Sequence, residues 1–257
     1  MIIIKFIILG ILTSFLFPPY FLLPIGLIIF PYLIILISNI KNNYSKKMFF
    51  LFGFLYGFGF TLNFLGWLVN PFLVFEATKN FAFLSLIPIL LISSFYGLTF
   101  IILKKTKNFI HQLIIFPFIM VAVEILISNF IFGFPWVTFS LVISDNAIGL
   151  FLLKIFGTNF TSLLVLFFYL CPLLFFKFNL VKENKKFIYY FILSFFLIIA
   201  ISLILNFTIK VEKNSINLKV DIYQINKPVI TNTNDELINI HNVIKRNIIN
   251  SEADLIV

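Results

Sequence analysis

The chain has 257 residues, of which 61% are hydrophobic and only 11% charged, and its mean hydropathy is +1.10. Soluble domains carry roughly 25% charged residues, so a water-soluble globular fold is excluded and the chain reads as an integral membrane protein. Its net charge of +9 on a soluble domain would point to nucleic acid; here it records orientation in a bilayer, and no nucleic-acid partner is expected.

Apolar runs approach or cross about 30 Å of hydrocarbon with about 17–25 residues each. Seven are predicted: Ile3–Phe17, Phe21–Ser38, Met48–Val69, Phe81–Leu103, Phe109–Phe130, Ile148–Phe176 and Phe187–Phe207. The first is short but lacks a small-x-small cleavage site, and Pro18-Pro19 leads straight into another apolar run, so it is read as a retained helix rather than a signal peptide. In the sixth, Lys154 and Gly157 interrupt the first half. That run is expected to begin as an interfacial or re-entrant piece and to span only from about Phe160.

Loop charges set the orientation. Lys5, Lys41, Lys46, Lys47, Lys104, Lys105, Lys107, Lys177, Lys182, Lys185 and Lys186 fall on one side if all seven runs cross. The opposite loops hold Lys79, Glu76, Asp145 and Lys154. The N-terminus is therefore expected inside, and everything after Phe207 outside. That tail, 208–257, carries six basic and six acidic residues and has a different pattern. Ile216, Leu218, Val220 and Ile222 alternate with polar residues as in a half-buried strand. Thr233-x-x-Glu236 forms a capping-box pattern ahead of Leu237, Ile240, Ile244 and Ile248 at helical spacing. Leu255-Ile256-Val257 then opens a second strand. A strand, a helix and a strand begin an α/β unit, and about fifty residues of it cannot bury a useful core, so the tail is read as an incomplete domain.

Three features stand above generic membrane helix. Gly53, Gly57 and Gly59 in the third run give a neighbouring helix room to approach closely, and plain helix packing is their simplest reading; Trp67 reads as an interfacial anchor. Glu124 lies inside the fifth run, where an ionisable group is costly and marks a functional-site candidate. It serves either as an interhelical hydrogen-bonding group or in substrate handling. Gly133-Phe134-Pro135-Trp136 follows that run as a rigid aromatic loop at headgroup level, either an anchor or a lipid guide. Glu124, Phe134, Pro135 and Trp136 are accordingly the candidate lipid contacts. Cys171, the one cysteine, precedes Pro172 in an apolar run without a nearby base and is not read as a nucleophile. With two histidines, one cysteine and no glycine-rich phosphate loop, no metal or cofactor is expected. Asp235, Glu236 and Asp254 read as solvated or helix-start charges.

The order of these features resembles the apolipoprotein N-acyltransferase family. The matching residues are Phe17-Pro-Pro-Tyr20, Gly53-Phe-Leu-Tyr-Gly-Phe-Gly59, Glu124, Gly133-Phe-Pro-Trp136 and Ile155-Phe-Gly157. In the tail, Val220-Asp-Ile-Tyr-Gln224 with Asn226-Lys-Pro228 resembles the first strand of that family's nitrilase-like domain, and Ala253-Asp-Leu-Ile-Val257 resembles its second. The resemblance implies a membrane domain over 1–207 and an incomplete periplasmic nitrilase-like domain over 208–257. It implies an enzyme of the bacterial inner membrane that moves a fatty acyl chain from a phospholipid to the diacylglyceryl cysteine of an apolipoprotein, through a thioester on a Glu-Lys-Cys triad. The family places that Glu in a Trp-Pro-Glu directly after the second strand, whereas here the sequence stops at Val257. The resemblance thus implies a C-terminally truncated chain, without the triad and inactive alone. Ile127 stands where the family commonly carries Arg. Two other readings remain open: a membrane scaffold that pairs with a separate catalytic half, and a small transporter.

Overall fold

The computed structural model describes residues 2–131 and 137–176 and, beyond these, 220, 221, 242, 245, 255 and 256. The seventh expected run, Phe187–Phe207, lies outside the described residues, as does the loop with Gly133, Phe134, Pro135 and Trp136. Contacts divide the chain into two units, Met1–Ile209 and Lys210–Val257.

Among its described residues the first unit is helical. Helix α1 (Ile2–Ser14) has 13 residues, about 20 Å at 1.5 Å per residue, which is short of a full span. Its expected extension to Phe17 is instead a succession of turns, with Leu16 N–H donating to Thr13 O and Phe17 N–H to Ser14 O, both at 3.1 Å. Helix α2 (Leu23–Ile40) opens with Pro24 in its first turn, where no backbone donor is required. Helix α3 (Lys46–Leu65) is capped by Ser45, whose Oγ accepts from Met48 N–H at 3.4 Å. It continues through a 3-10 turn, Gly66–Val69, into α4 (Asn70–Leu73). Helix α5 (Glu76–Lys79) and a 3-10 turn, Ala82–Ser85, lead into α6 (Leu86–Lys105). Asn108 Oδ1 accepts from His111 N–H at 2.9 Å and starts α7 (Phe109–Ile125). A π-helical turn, Leu126–Ile131, follows α7. After the loop come a 3-10 turn, Phe139–Ile143, and α8 (Ala147–Phe176). Gly157 breaks α8 with φ 71° and ψ 176°, a backbone region essentially confined to glycine. The sixth apolar run is thus two helical pieces, 147–156 and 158–176. Among the described residues five helical stretches are long and apolar enough to cross a bilayer: Leu23–Ile40, Lys46–Leu73, Ala82–Lys105, Phe109–Asn129 and Ala147–Leu173.

Helices in lipid gain nothing from hiding apolar surface from water, so they associate through close packing. Helix α3 sits between α6 and α1, its two most extensive partners. A methyl group on Gly53 would lie 2.4 Å from Tyr96 O, and one on Gly57 2.9 Å from Ser93 Cα, both in α6. On the other side one on Gly59 would lie 2.5 Å from Ile7 O, and one on Gly10 of α1 2.0 Å from Tyr56 O. These backbones therefore touch where no side chain fits. Hydroxyls close the same seams: Thr61 Oγ1 lies 3.3 Å from Ser93 Oγ, and Thr13 Oγ1 lies 3.1 Å from the Tyr56 hydroxyl. Thr13, Thr61 and Ser93 each also bond a carbonyl four residues back in their own helix, so none of these hydroxyls is left unpaired in the hydrocarbon.

In the second unit, strands β1 (Val220–Asp221) and β2 (Leu255–Ile256) pair in parallel, Val220 beside Leu255 and Asp221 beside Ile256. Asn242 and Lys245 are helical and exposed. The remainder of the expected strand–helix–strand pattern lies outside the described residues.

Candidate functional site

Glu124 stands in the last turn of α7, buried to 2% exposure. Its Oε1 accepts the backbone N–H of Phe139 at 2.8 Å. The next donor along, Ser140 N–H, bonds Ser162 Oγ of α8 at 2.9 Å. These two N–H groups open the 3-10 turn Phe139–Ile143, and a turn's first donors have no partner within it. One side chain from α7 and one from α8 supply the acceptors. The Ser162 hydroxyl also interacts with the Glu124 carboxylate, and Ser140 Oγ donates to Thr138 Oγ1 at 3.3 Å. Glu124, Thr138, Ser140, Thr161 and Ser162 are all buried. Glu124 Oε2 and Thr161 Oγ1 have no hydrogen-bond partner among the described residues.

The ring of Phe139 holds the turn from the other side. It lies 5.3 Å from the ring of Phe17, 5.5 Å from Phe30 of α2 and 6.4 Å from Phe60 of α3, centroid to centroid. Phe30 in turn stacks on Tyr169 of α8 at 5.4 Å. The turn is therefore bonded to α7 and α8 through its backbone and wedged against α2 and α3 through one side chain. It ends where Asn146 Oδ1 accepts from Gly149 N–H at 2.8 Å and starts α8. A methyl group on Gly149 would lie 1.7 Å from Ile143 O, so the turn and the helix start are in backbone contact.

Two clefts flank this turn. One, of about 590 Å³, is lined by Ser14, Pro18, Pro19, Tyr20, Asn63, Phe64, Trp67 and Leu141. Asn63 Nδ2 donates to Ser14 Oγ at 2.6 Å and gives it a polar pair within apolar walls. The other, of about 350 Å³, lies between Leu23 of α2, Ile143 and Gly149 at the turn, and Leu152, Phe168 and Tyr169 of α8. Both fall in the range of about 300–1,000 Å³ typical of small-molecule sites. Leu141 belongs to the wall of the first and Ile143 to that of the second, so the turn that Glu124 holds separates them.

Of the four expected lipid contacts, Glu124 is thus enclosed and engaged with backbone, while Phe134, Pro135 and Trp136 lie outside the described residues. Gly53, Gly57 and Gly59 belong to the helix seams and not to the clefts. Cys171 sits in the second piece of α8, where its Sγ bonds Phe167 O at 3.5 Å. Phe139, Ser140, Ser162 and Gly149 carry the geometry without having been singled out in the sequence. Thr158-Asn159-Phe160-Thr161-Ser162, a polar opening to an apolar run, is the signal that points to Ser162 as a companion of the intramembrane Glu.

Comparison with known proteins gives one family: the apolipoprotein N-acyltransferase N-terminal domain matches residues 9–171. The match runs from α1 into the second piece of α8 and takes in Glu124, Ser162 and the whole 3-10 turn. No curated protein matches the chain.

Proposed function

Since the chain belongs to the apolipoprotein N-acyltransferase family, we propose that it serves the transfer of a fatty acyl chain from a phospholipid to the α-amino group of a lipoprotein's diacylglyceryl cysteine. The observation that carries this reading is the family match over 9–171, which covers both clefts and the turn between them. In this reading the chain lies in the bacterial inner membrane with its N-terminus cytoplasmic and the residues after Phe207 periplasmic. The lysine distribution supports that orientation, and the parallel pairing of Val220–Asp221 with Leu255–Ile256 supports a nitrilase-like tail.

The part assigned to the first unit is to receive lipid. A phospholipid or diacylglyceryl substrate carries apolar chains joined to a polar ester region. The larger cleft offers the matching surface: apolar walls from Tyr20, Phe64, Trp67 and Leu141, and one polar pair, Ser14 with Asn63. Glu124 is a positioning residue in this scheme. It fixes Phe139–Ile143, and with it the Leu141 wall. No residue of this unit is assigned the acyl-transfer chemistry. Cys171, the one thiol of the chain, is hydrogen-bonded to Phe167 O within an apolar helix with no base beside it among the described residues, and a thiolate is needed for attack on an ester.

The test uses the purified 257-residue protein in non-ionic detergent with a fluorescent diacylated lipopeptide and phosphatidylethanolamine. Saturable lipopeptide binding is expected, weakened several-fold by Leu141→Trp or Asn63→Leu, with no N-acylation detected by mass spectrometry. Binding no better than to empty micelles would refute the assignment of the cleft. Acyl transfer by this polypeptide alone would refute the assignment of the chemistry elsewhere.

A further inference from the structure

We propose that the face formed by the α2–α3 and α6–α7 loops is a binding surface for the headgroups of anionic phospholipids in the adjoining leaflet. The two loops are tied together by their own lysines. Lys41, at the end of α2, donates to Thr106 O and, at 3.3 Å, to Lys107 O, both just past the end of α6. Lys104, in the last turn of α6, donates in return to Lys41 O at the end of α2. Each lysine thus satisfies carbonyls at the C-terminus of the other helix, where the helix dipole favours a cation. Lys104 Nζ also lies 4.9 Å from the centre of the Phe49 ring of α3, a cation–π contact.

This reciprocal tie gathers positive charge in one place. Lys46, Lys47, Lys105 and Lys107 are exposed beside Lys41 and Lys104, which are half-buried. No Asp or Glu occurs in 39–48 or 103–112 to balance them. Four exposed ammonium groups, without an acidic partner among the described residues, sit on loops held to each other and make a surface for which a phosphate-bearing headgroup is the complementary partner. The position selects the source of that phosphate. The lysines cap helices that enter the hydrocarbon immediately, at Met48 on one side and Leu103 on the other, so the ammonium groups lie at headgroup level. Clusters of four to eight basic residues at this level attract anionic lipid with about 1 kcal/mol for each, or about fivefold in affinity.

The proposal is tested with the full chain in non-ionic detergent, titrated with phosphatidylglycerol or phosphatidylcholine, with bound lipid counted by native mass spectrometry. Phosphatidylglycerol is expected to bind at least about tenfold more tightly, and the preference should shrink as salt is raised. The variant K46Q/K47Q/K105Q/K107Q should lose that preference, its all-Arg counterpart should keep it, and K79Q/K154Q, in α5 and the first piece of α8, should leave it unchanged. If the four-Gln protein does not purify, K46Q and K105Q, one from each loop, should each cost several-fold. Equal binding of the two lipids by the unaltered protein overturns the proposal. So does a preference that survives the Gln substitutions, or a polyglutamate peptide that binds more tightly than phosphatidylglycerol and displaces it.

Discussion

Replacing Glu124 in three ways separates the hydrogen bond it makes from the space it fills. Glu124→Ala removes the acceptor of Phe139 N–H and leaves a buried donor unpaired, which costs about 1–3 kcal/mol. It also empties a packed site, and large-to-small changes in such sites add a further cavity cost of similar order, so about 3–4 kcal/mol in total is expected. Glu124→Leu fills most of the volume but leaves Phe139 N–H unpaired, and about 1–3 kcal/mol is expected. Glu124→Gln keeps a side-chain carbonyl at the position of Oε1, while Ser162 beside it can accept from the amide; less than about 1 kcal/mol is expected. At about 2–4 °C per kcal/mol for a unit of this size, thermal unfolding in one fixed detergent should fall by roughly 10 °C for Ala, roughly 5 °C for Leu and little for Gln. Intrinsic tryptophan fluorescence reads the transition. If Gln falls as far as Leu, the carboxylate is needed for something other than an acceptor for Phe139. If Ala falls by less than about 1 °C, the turn is not held by Glu124 at all.

The partner bond gives a related expectation: Ser162→Ala should cost about 1–2 kcal/mol by orphaning Ser140 N–H. Combined with Glu124→Ala it should cost less than the sum, because both bonds hold one turn; strict additivity in the melting experiment would contradict that. Gly53→Val pushes a side chain into Tyr96 O, and a loss of at least about 1–3 kcal/mol is expected, whereas Gly66→Ala, with open space around it, should melt with the parent. Gly157→Ala should lower stability by about 1–3 kcal/mol, because φ 71° with ψ 176° is open to glycine alone; an unchanged melting temperature would mean that the break in α8 is not required.

Much of the first unit is legible in its letters. Hydrocarbon thickness fixes how long an apolar run must be, so α2, α3, α6 and α7 fall where the runs do. Lys154 and Gly157 announce the break in α8, since a charge and a helix-breaking residue have little other use there. The length of α1 is less legible: Phe15, Leu16 and Phe17 are as apolar as the helix before them, and only Pro18-Pro19 hints that the chain is already turning. The glycines of α3 signal close approach, but not that Gly53 and Gly57 meet α6 while Gly59 meets α1. At the site, Glu124 is conspicuous because a carboxyl group is rare in hydrocarbon. Its partner is silent, because a backbone N–H belongs to every residue and no letter records it. Phe139 is equally silent, one of 38 phenylalanines. Its role follows from where the turn places it and not from what it is. The loop lysines read as topology, whereas their reciprocal bonds depend on two helix ends meeting at the same height.

The turn 139–143 is a septum between two chambers. A septum cannot shift without enlarging one chamber at the expense of the other, and this one is bolted to α7 and α8 and wedged by a single ring. Occupancy on the Leu141 side is therefore expected to act, through two residues of backbone, on the space beside Ile143. A bulky substitution in one chamber should be felt as altered capacity in the other, and a molecule with two chains to house would meet them as a matched pair.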